Sequence, residues 1–82
     1  MKFKVYVNVM PLKTLLDPQG KAVNKIIKNQ GFAVENVRIG KHITFEIEAE
    51  NEEEAESIVM DISEKILINP VIEEFSYNIE KV

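Results

Sequence analysis

The stretch Leu16–Val23 constrains the fold most, because it fixes where a helix begins. Asp17 is a preferred helix-capping residue, since its carboxylate accepts hydrogen bonds from first-turn amides, and Pro18 suits the first helical position. Gly20 is an unusual residue within a first turn, where it costs up to about 1 kcal/mol relative to Ala. We therefore predict a helix start at Asp17. At Gly20 we predict a close approach by another backbone, either from within the fold or from a partner.

Four segments have the strand-like character of half-buried β-structure, in which apolar and polar residues alternate along the chain. The first segment is the clearest, and it ends at about Met10 because the following Pro11 has no amide donor for a sheet. Apolar residues on one side of a strand imply that one face of the sheet is buried. The predicted strands are residues 2–10, 34–39, 42–50 and 71–82.

Two amphipathic helices are predicted between these strands. The first runs from Pro18 to about Gln30, and Gly31 follows as a stop signal. The second begins with Asn51 as the cap of a glutamate-rich turn and ends at Asn69-Pro70. The element order β-α-β-β-α-β predicts one α+β domain over residues 1–82. Its expected architecture is a four-stranded antiparallel sheet with both helices on one face, the ferredoxin-like topology.

The connection between the second and third predicted strands allows two registers. A two-residue turn at Gly40-Lys41 places Ile39 opposite His42 and puts the apolar residues of the two strands on opposite faces. A turn one residue longer, with Gly40 in a left-handed bulge, pairs Ile39 with Ile43 and brings the apolar sets together. We favour the bulge unless both faces of the sheet are buried in an oligomer.

Composition narrows the possible functions. A chain of 82 residues buries only about 60% of its unfolded surface. With 45% hydrophobic residues it is expected to self-associate through the sheet, as a homodimer or tetramer. The formal charge of -4 opposes nucleic-acid binding, and the absence of cysteine excludes disulfides and thiolate chemistry. No apolar run is long enough to span a membrane, so we expect a cytoplasmic protein with neither a nucleic-acid nor a membrane partner.

No catalytic constellation is visible among the polar residues. His42 is the only histidine, and we interpret it as a surface or interface residue on the polar side of its strand. Glu46 and Glu48 are expected to pair with Lys2 and Lys4 across neighbouring strands rather than to act as acids or bases. The three glycines form neither a phosphate loop nor a dinucleotide fingerprint. We therefore predict no active site, no metal site and no cofactor bound by this chain.

Partner docking is the remaining candidate role. Leu12, Leu15 and Leu16 precede the first helix, and they either close the core or meet a partner. The candidate docking residues are Leu15, Leu16, Asp17, Pro18, Gln19, Gly20 and Lys21. A second candidate set, at the predicted hairpin or at an interface, is Arg38, Gly40, Lys41 and His42.

Four runs of the chain are more specific than its element order. They are Asp17-Pro18-Gln19-Gly20-Lys21-Ala22-Val23, Val37-Arg38-Ile39-Gly40-Lys41, Glu46-Ile47-Glu48-Ala49-Glu50 and Asn69-Pro70-Val71-Ile72-Glu73. Together they resemble one known family, the PurS-type small subunit of phosphoribosylformylglycinamidine synthase. The resemblance covers nearly the whole chain in length and order, and His42 departs from it, since an aromatic residue is expected there.

The resemblance implies an accessory subunit of purine synthesis. Such a subunit joins a glutaminase subunit to an ATP-dependent synthetase subunit and assists ammonia transfer between them, while ATP and magnesium are used by the synthetase partner. The catalysed reaction, carbon–nitrogen ligation with glutamine as the amide donor, then belongs to the partners. An alternative from another class is a small-molecule-sensing regulatory module of ferredoxin-like fold, which would bind a metabolite at a dimer interface.

Overall fold

A computed structural model of the protein describes residues 1–82 and contains three strands and two α-helices. A single π-helical turn, Ser63–Leu67, extends the second helix. None of the helices has the length and apolar character needed to cross a membrane. In chain order the elements are β1 (Lys2–Pro11), α1 (Pro18–Asn29), β2 (Lys41–Glu48), α2 (Glu52–Ile62) and β3 (Glu73–Lys81).

The sheet is antiparallel with the order β2-β1-β3. Val5 lies opposite Phe45 on β2 and opposite Ile79 on β3, so the apolar residues of all three strands share one face. On this inner face α2 packs with Ala55 and Val59, which are both completely buried. The apolar side chains of the central strand, Phe3, Val5, Val7 and Val9, are 0–1% exposed. The core is therefore one sheet face covered by one helix.

The α+β class, the antiparallel sheet and the two helices are confirmed, but the strand predicted at 34–39 is not formed. Asn36 interrupts the extended run because its φ of 57° is left-handed, a conformation that asparagine tolerates better than most residues. The amides beyond it bind side chains instead of a strand: Val37 donates to Asn24 and Ile39 donates to Asp17. The predictions of a four-stranded sheet and of a ferredoxin-like topology are accordingly wrong for this structure.

The predicted hairpin is also wrong. β2 pairs with β1 alone, so neither of the two predicted registers, which pair Ile39 with His42 or with Ile43, is formed. Gly40 does not have a positive φ, and Gly31 is the glycine that does, at 93°. Gly31 thus follows α1 as the predicted stop, because a left-handed backbone ends a helix and favours glycine.

The position of α1 is the largest departure from the expected architecture. No α1 side chain belongs to the buried core, and Ile26 on this helix is 60% exposed. The chain is correspondingly elongated, with principal extents of 51 × 27 × 14 Å. Its radius of gyration is 16.1 Å, whereas a compact chain of this length has about 12 Å. Only α2 covers the sheet, so the prediction of two helices on one face is wrong.

Candidate partner-docking site

Asp17 connects the start of α1 to the segment that leads into β2. One carboxylate oxygen, Oδ1, accepts from the Gly20 amide at 3.0 Å and therefore caps the helix as predicted. The other oxygen, Oδ2, accepts from the Ile39 amide at 2.9 Å. These two backbone hydrogen bonds, with Arg38 nearby, lower the pKa of Asp17 below its ordinary 3.8. The carboxylate thus stays charged at neutral pH and ties two distant parts of the chain together.

Gly20 is buried beneath this connection. A Cβ atom at this position would lie 2.3 Å from the Val37 carbonyl oxygen and 2.5 Å from Asp17 Oδ2. The backbone approach that the sequence predicted at Gly20 is therefore made by the chain itself. The surface available to a partner is formed by the neighbours of Gly20 and not by its bare backbone.

Two further contacts hold the segment before β2 against the end of β1. The Arg38 guanidinium donates to the Pro11 carbonyl. Gly40 lies so close to β1 that an added Cβ would meet the Val9 carbonyl oxygen at 2.3 Å. A side chain at position 40 would push this segment away from the strand, which explains the glycine in steric terms rather than by a bulge.

A groove of about 420 Å³ opens where these elements meet. It brings together members of the two residue sets that the sequence singled out separately. Residues 16–19 at the start of α1 form one wall, and Gly40 and Lys41 at the start of β2 form the other. The groove is lined by Val9, Pro11, Leu16, Asp17, Pro18, Gln19, Ile39, Gly40, Lys41 and Glu73. This mixture of an exposed leucine, a helix N-terminus and an ion pair suits recognition of a protein segment more than catalysis.

Glu73 at the start of β3 is a groove residue that the sequence analysis did not assign to a site. Its carboxylate accepts from the Asn69 amide at 2.8 Å and forms an ion pair with Lys41 at 3.5 Å. The amide hydrogen bond first, and Lys41 second, lower the pKa of Glu73 below 4.5. The available signal was the run Asn69–Glu73, which carried part of the family resemblance.

Other candidate residues lie outside the groove. Leu15 and Lys21 are exposed beside it, and Leu15 is 42% exposed. His42 lies on the opposite, polar face of the sheet, where its ring stacks on Tyr6 with centroids 6.1 Å apart. Its Nδ1 is 2.7 Å from Asn8 Oδ1. The predicted position of His42 on the polar side of its strand is confirmed, and the residue takes no part in the groove.

The charged residues of the sheet are used in surface ion pairs. Lys2 pairs with Glu46 at 3.6 Å, as the cross-strand pattern predicted, while Glu48 pairs with the N-terminal amine at 3.6 Å. On α1, Lys28 pairs with Glu35 at 2.6 Å beside a cleft lined by three lysines.

No group of three or more His, Asp or Glu side chains is arranged to hold a metal ion.

Comparison with known proteins gives a consistent family relationship. A sequence model described as PurS, phosphoribosylformylglycinamidine (FGAM) synthase, matches residues 4–81. The chain is 38% identical over 74 residues to the PurS subunit of phosphoribosylformylglycinamidine synthase from Thermotoga maritima, covering 89% of this chain and 90% of that one. It is also 38% identical over 82 residues to the Bacillus subtilis subunit, with coverage of 99% and 94%.

Solved structures agree with the sequence comparison. The crystal structure of the Thermotoga maritima purS subunit superimposes with a TM-score of 0.91 at 34% identity, covering 98% of this chain and 93% of that chain. A chain of the structure described as PurLQS from the same organism superimposes with a TM-score of 0.90 at 34% identity, covering 98% and 99%. The similarity therefore extends over the full fold, including the projecting α1.

Proposed function

The chain belongs to the PurS family of phosphoribosylformylglycinamidine synthase subunits, and from this we propose that it is the accessory subunit of that complex in purine biosynthesis. In this role it joins the glutaminase subunit to the ATP-dependent synthetase subunit and assists the transfer of ammonia between them. The observation that carries the proposal is the match to a chain of PurLQS over 98% of this chain. The cytoplasm, where purine precursors and ATP are available, is the proposed compartment.

The chemistry of the chain supports a subunit that contributes surfaces and not reacting groups. It has no cysteine to attack glutamine, and its glycines form no phosphate-binding loop. ATP and magnesium are accordingly assigned to the synthetase partner. What the chain offers is the groove at the start of α1, whose walls are fixed by the Asp17 and Arg38 hydrogen bonds. A preorganised surface of this kind lowers the entropic cost of binding a partner.

We assign the contact with one of the two large subunits to this groove. Leu16 is 67% exposed at its rim, next to the exposed Leu15, so apolar surface is available there to a partner. The exposed N-terminus of α1 and the Lys41–Glu73 ion pair add polar groups around it. An apolar anchor surrounded by polar groups is the usual anatomy of a protein interface.

The proposal is tested by mixing the purified chain with the glutaminase and synthetase subunits of the same organism and measuring complex formation by light scattering after gel filtration. Leu16→Glu is the test variant, and Ile66→Glu is the matched control, since Ile66 is 74% exposed and lies outside the groove. We expect parent and control to join the complex and Leu16→Glu to bind at least about tenfold more weakly. A parent chain that binds neither large subunit would refute the bridging role. If Leu16→Glu binds like the parent, the groove assignment alone is wrong.

A further inference from the structure

A basic cleft lies between α1 and the segment that follows it. Its volume is about 450 Å³, which is within the usual size range of small-ligand sites. One wall is formed by Lys21, Lys25 and Lys28 of α1, and the other by residues 35–37. We call this space the lysine cleft. It shares no residue with the docking groove and is therefore a separate site.

The positive charge of the lysine cleft is not placed to stabilise the helix. Lys25 is four residues after Lys21 and three before Lys28, so the ammonium groups are neighbours on one side of α1 and repel each other. Lys21 also lies near the start of the helix, where the dipole disfavours a cation. Only Lys28 forms an ion pair. In a chain with a formal charge of -4, this is a local excess of positive charge that a bound anion would relieve.

The uncharged lining of the cleft also suits an anion. Oδ1 of Asn24 accepts from the Val37 amide at 3.4 Å, which holds the second wall against α1. The side-chain amide nitrogen of Asn24, a donor only, is then available to a ligand. The one carboxylate in the lining is Glu35, which lies 2.6 Å from Lys28 and has a side chain that is 72% exposed. A stronger anion can therefore displace Glu35 from Lys28 without disturbing any buried group.

The lysine cleft and the apolar stripe of α1 are on different sides of the helix. Successive residues of an α-helix are rotated by about 100°, which places Val23 and Ile26 roughly opposite Lys21 and Lys28. A protein that covers the apolar stripe thus leaves the lysine cleft open to solvent.

We propose that the lysine cleft binds a small molecule that carries two or more phosphoryl groups. Lys21 and Lys28 are seven residues apart, which is about 10 Å along a helix, so the three ammonium groups extend over more than one phosphoryl group. Lysine binds phosphate as a point charge and needs no exact geometry. The lining has one hydrophobic residue and no aromatic side chain, so the cleft recognises the phosphoryl groups and not a base. The proposal does not depend on the role in the synthase complex.

The first test is an NMR titration of the purified chain with sodium pyrophosphate at constant ionic strength, because salt screens exposed charges. Lys25→Gln is the test variant. Lys81→Gln is the matched control, since Lys81 is exposed, forms no ion pair and lies beside Phe3 at the far end of the sheet. Both substitutions remove one positive charge from the chain.

We expect pyrophosphate to shift the amide resonances of Asn24, Lys25 and Val37. Its dissociation constant should rise at least about fivefold in Lys25→Gln and less than about twofold in Lys81→Gln, because only Lys25 contacts the ligand. The β1 resonances should be the same in both variants, since neither lysine belongs to the core. No binding by the parent at millimolar pyrophosphate, or equal weakening in the two variants, would overturn the proposal.

The second test uses the carboxylate that competes for Lys28. Glu35→Gln removes this competitor, so we expect pyrophosphate to bind at least about threefold more tightly than to the parent. Unchanged or weaker binding would contradict the proposal. Hexaglutamate is titrated in parallel and should bind more weakly than pyrophosphate. If hexaglutamate binds more tightly, the cleft receives an acidic protein segment and the assignment to a phosphorylated small molecule is wrong.

Discussion

Substitution of Gly20 by alanine tests the close contact between the first turn of α1 and the segment that leads into β2. The new Cβ would lie 2.3 Å from the Val37 carbonyl oxygen, whereas ordinary contacts begin at about 3.4 Å. The backbone at Val37 must therefore move by about 1 Å. Its position is held by the hydrogen bonds from the amides of Val37 and Ile39, so the movement cannot be absorbed by a flexible side chain.

The expected loss of stability follows from two opposing effects. Forcing an extra methyl group into a filled space costs about 1–3 kcal/mol. Alanine in place of glycine inside a helix recovers up to about 1 kcal/mol. We therefore expect Gly20→Ala to lower the free energy of unfolding by about 1–2 kcal/mol. An unobstructed helical glycine would instead give a gain of about 0.4–1 kcal/mol on the same substitution.

The assay is urea unfolding followed by circular dichroism at a fixed protomer concentration, since self-association contributes to the measured stability. Gln19→Ala is the control, because Gln19 is exposed on the same turn and its replacement should change stability by less than about 0.5 kcal/mol. If Gly20→Ala is as stable as the parent or more stable, then the Val37 carbonyl does not press on Gly20 in solution, and the close approach at Gly20 is refuted.

Two further predictions concern the charged and buried polar groups. Hydrogen bonds in the folded chain lower the pKa values of Asp17 and Glu73 below their ordinary values of 3.8 and 4.5. The two carboxylates therefore stabilise the fold fully at a pH above these ordinary values, and this stabilisation is lost as the pH falls through the lower folded-state pKa values. The urea concentration at the unfolding midpoint should therefore decrease as the pH is lowered below about 4, and this decrease should be less steep for Asp17→Asn than for the parent. Equal acid sensitivity in parent and variant would contradict this. The hydroxyl of Ser63 is fully buried and has no hydrogen-bond partner, so Ser63→Ala should leave stability unchanged or raise it by up to about 1 kcal/mol, and a loss in urea unfolding would show a hydrogen bond that the structure does not contain.

The sequence predicted the structure best where a local pattern, such as strand alternation or a helix cap, agrees with the fold as a whole. Alternation in β1 predicted a buried face, and Val5 and Val7 are fully buried. The capping preference of Asp17 predicted the start of α1 to the residue. The fold class and the helix order followed from these patterns.

The arrangement of α1 could not be read from local patterns, because its apolar stripe looks the same whether it packs on its own sheet or on another surface. The extended run at 34–39 likewise gave a strand pattern, although Asn36 adopts a left-handed conformation and Asp17 binds the Ile39 amide. The Asp17–Ile39 hydrogen bond joins residues 22 positions apart, and no rule that considers one segment at a time predicts it. The groove was missed for the same reason, since Glu73 reaches it from the other end of the chain.

The proposed role of the chain in ammonia transfer is tested most directly by reconstituting the synthase from its purified subunits and measuring product formation with glutamine or with an ammonium salt. We predict that synthesis from glutamine requires this chain, while synthesis from ammonium by the synthetase subunit does not, and that the chain alone forms no product because it lacks reacting groups. Glutamine-dependent synthesis at the same rate with and without the chain would contradict the account.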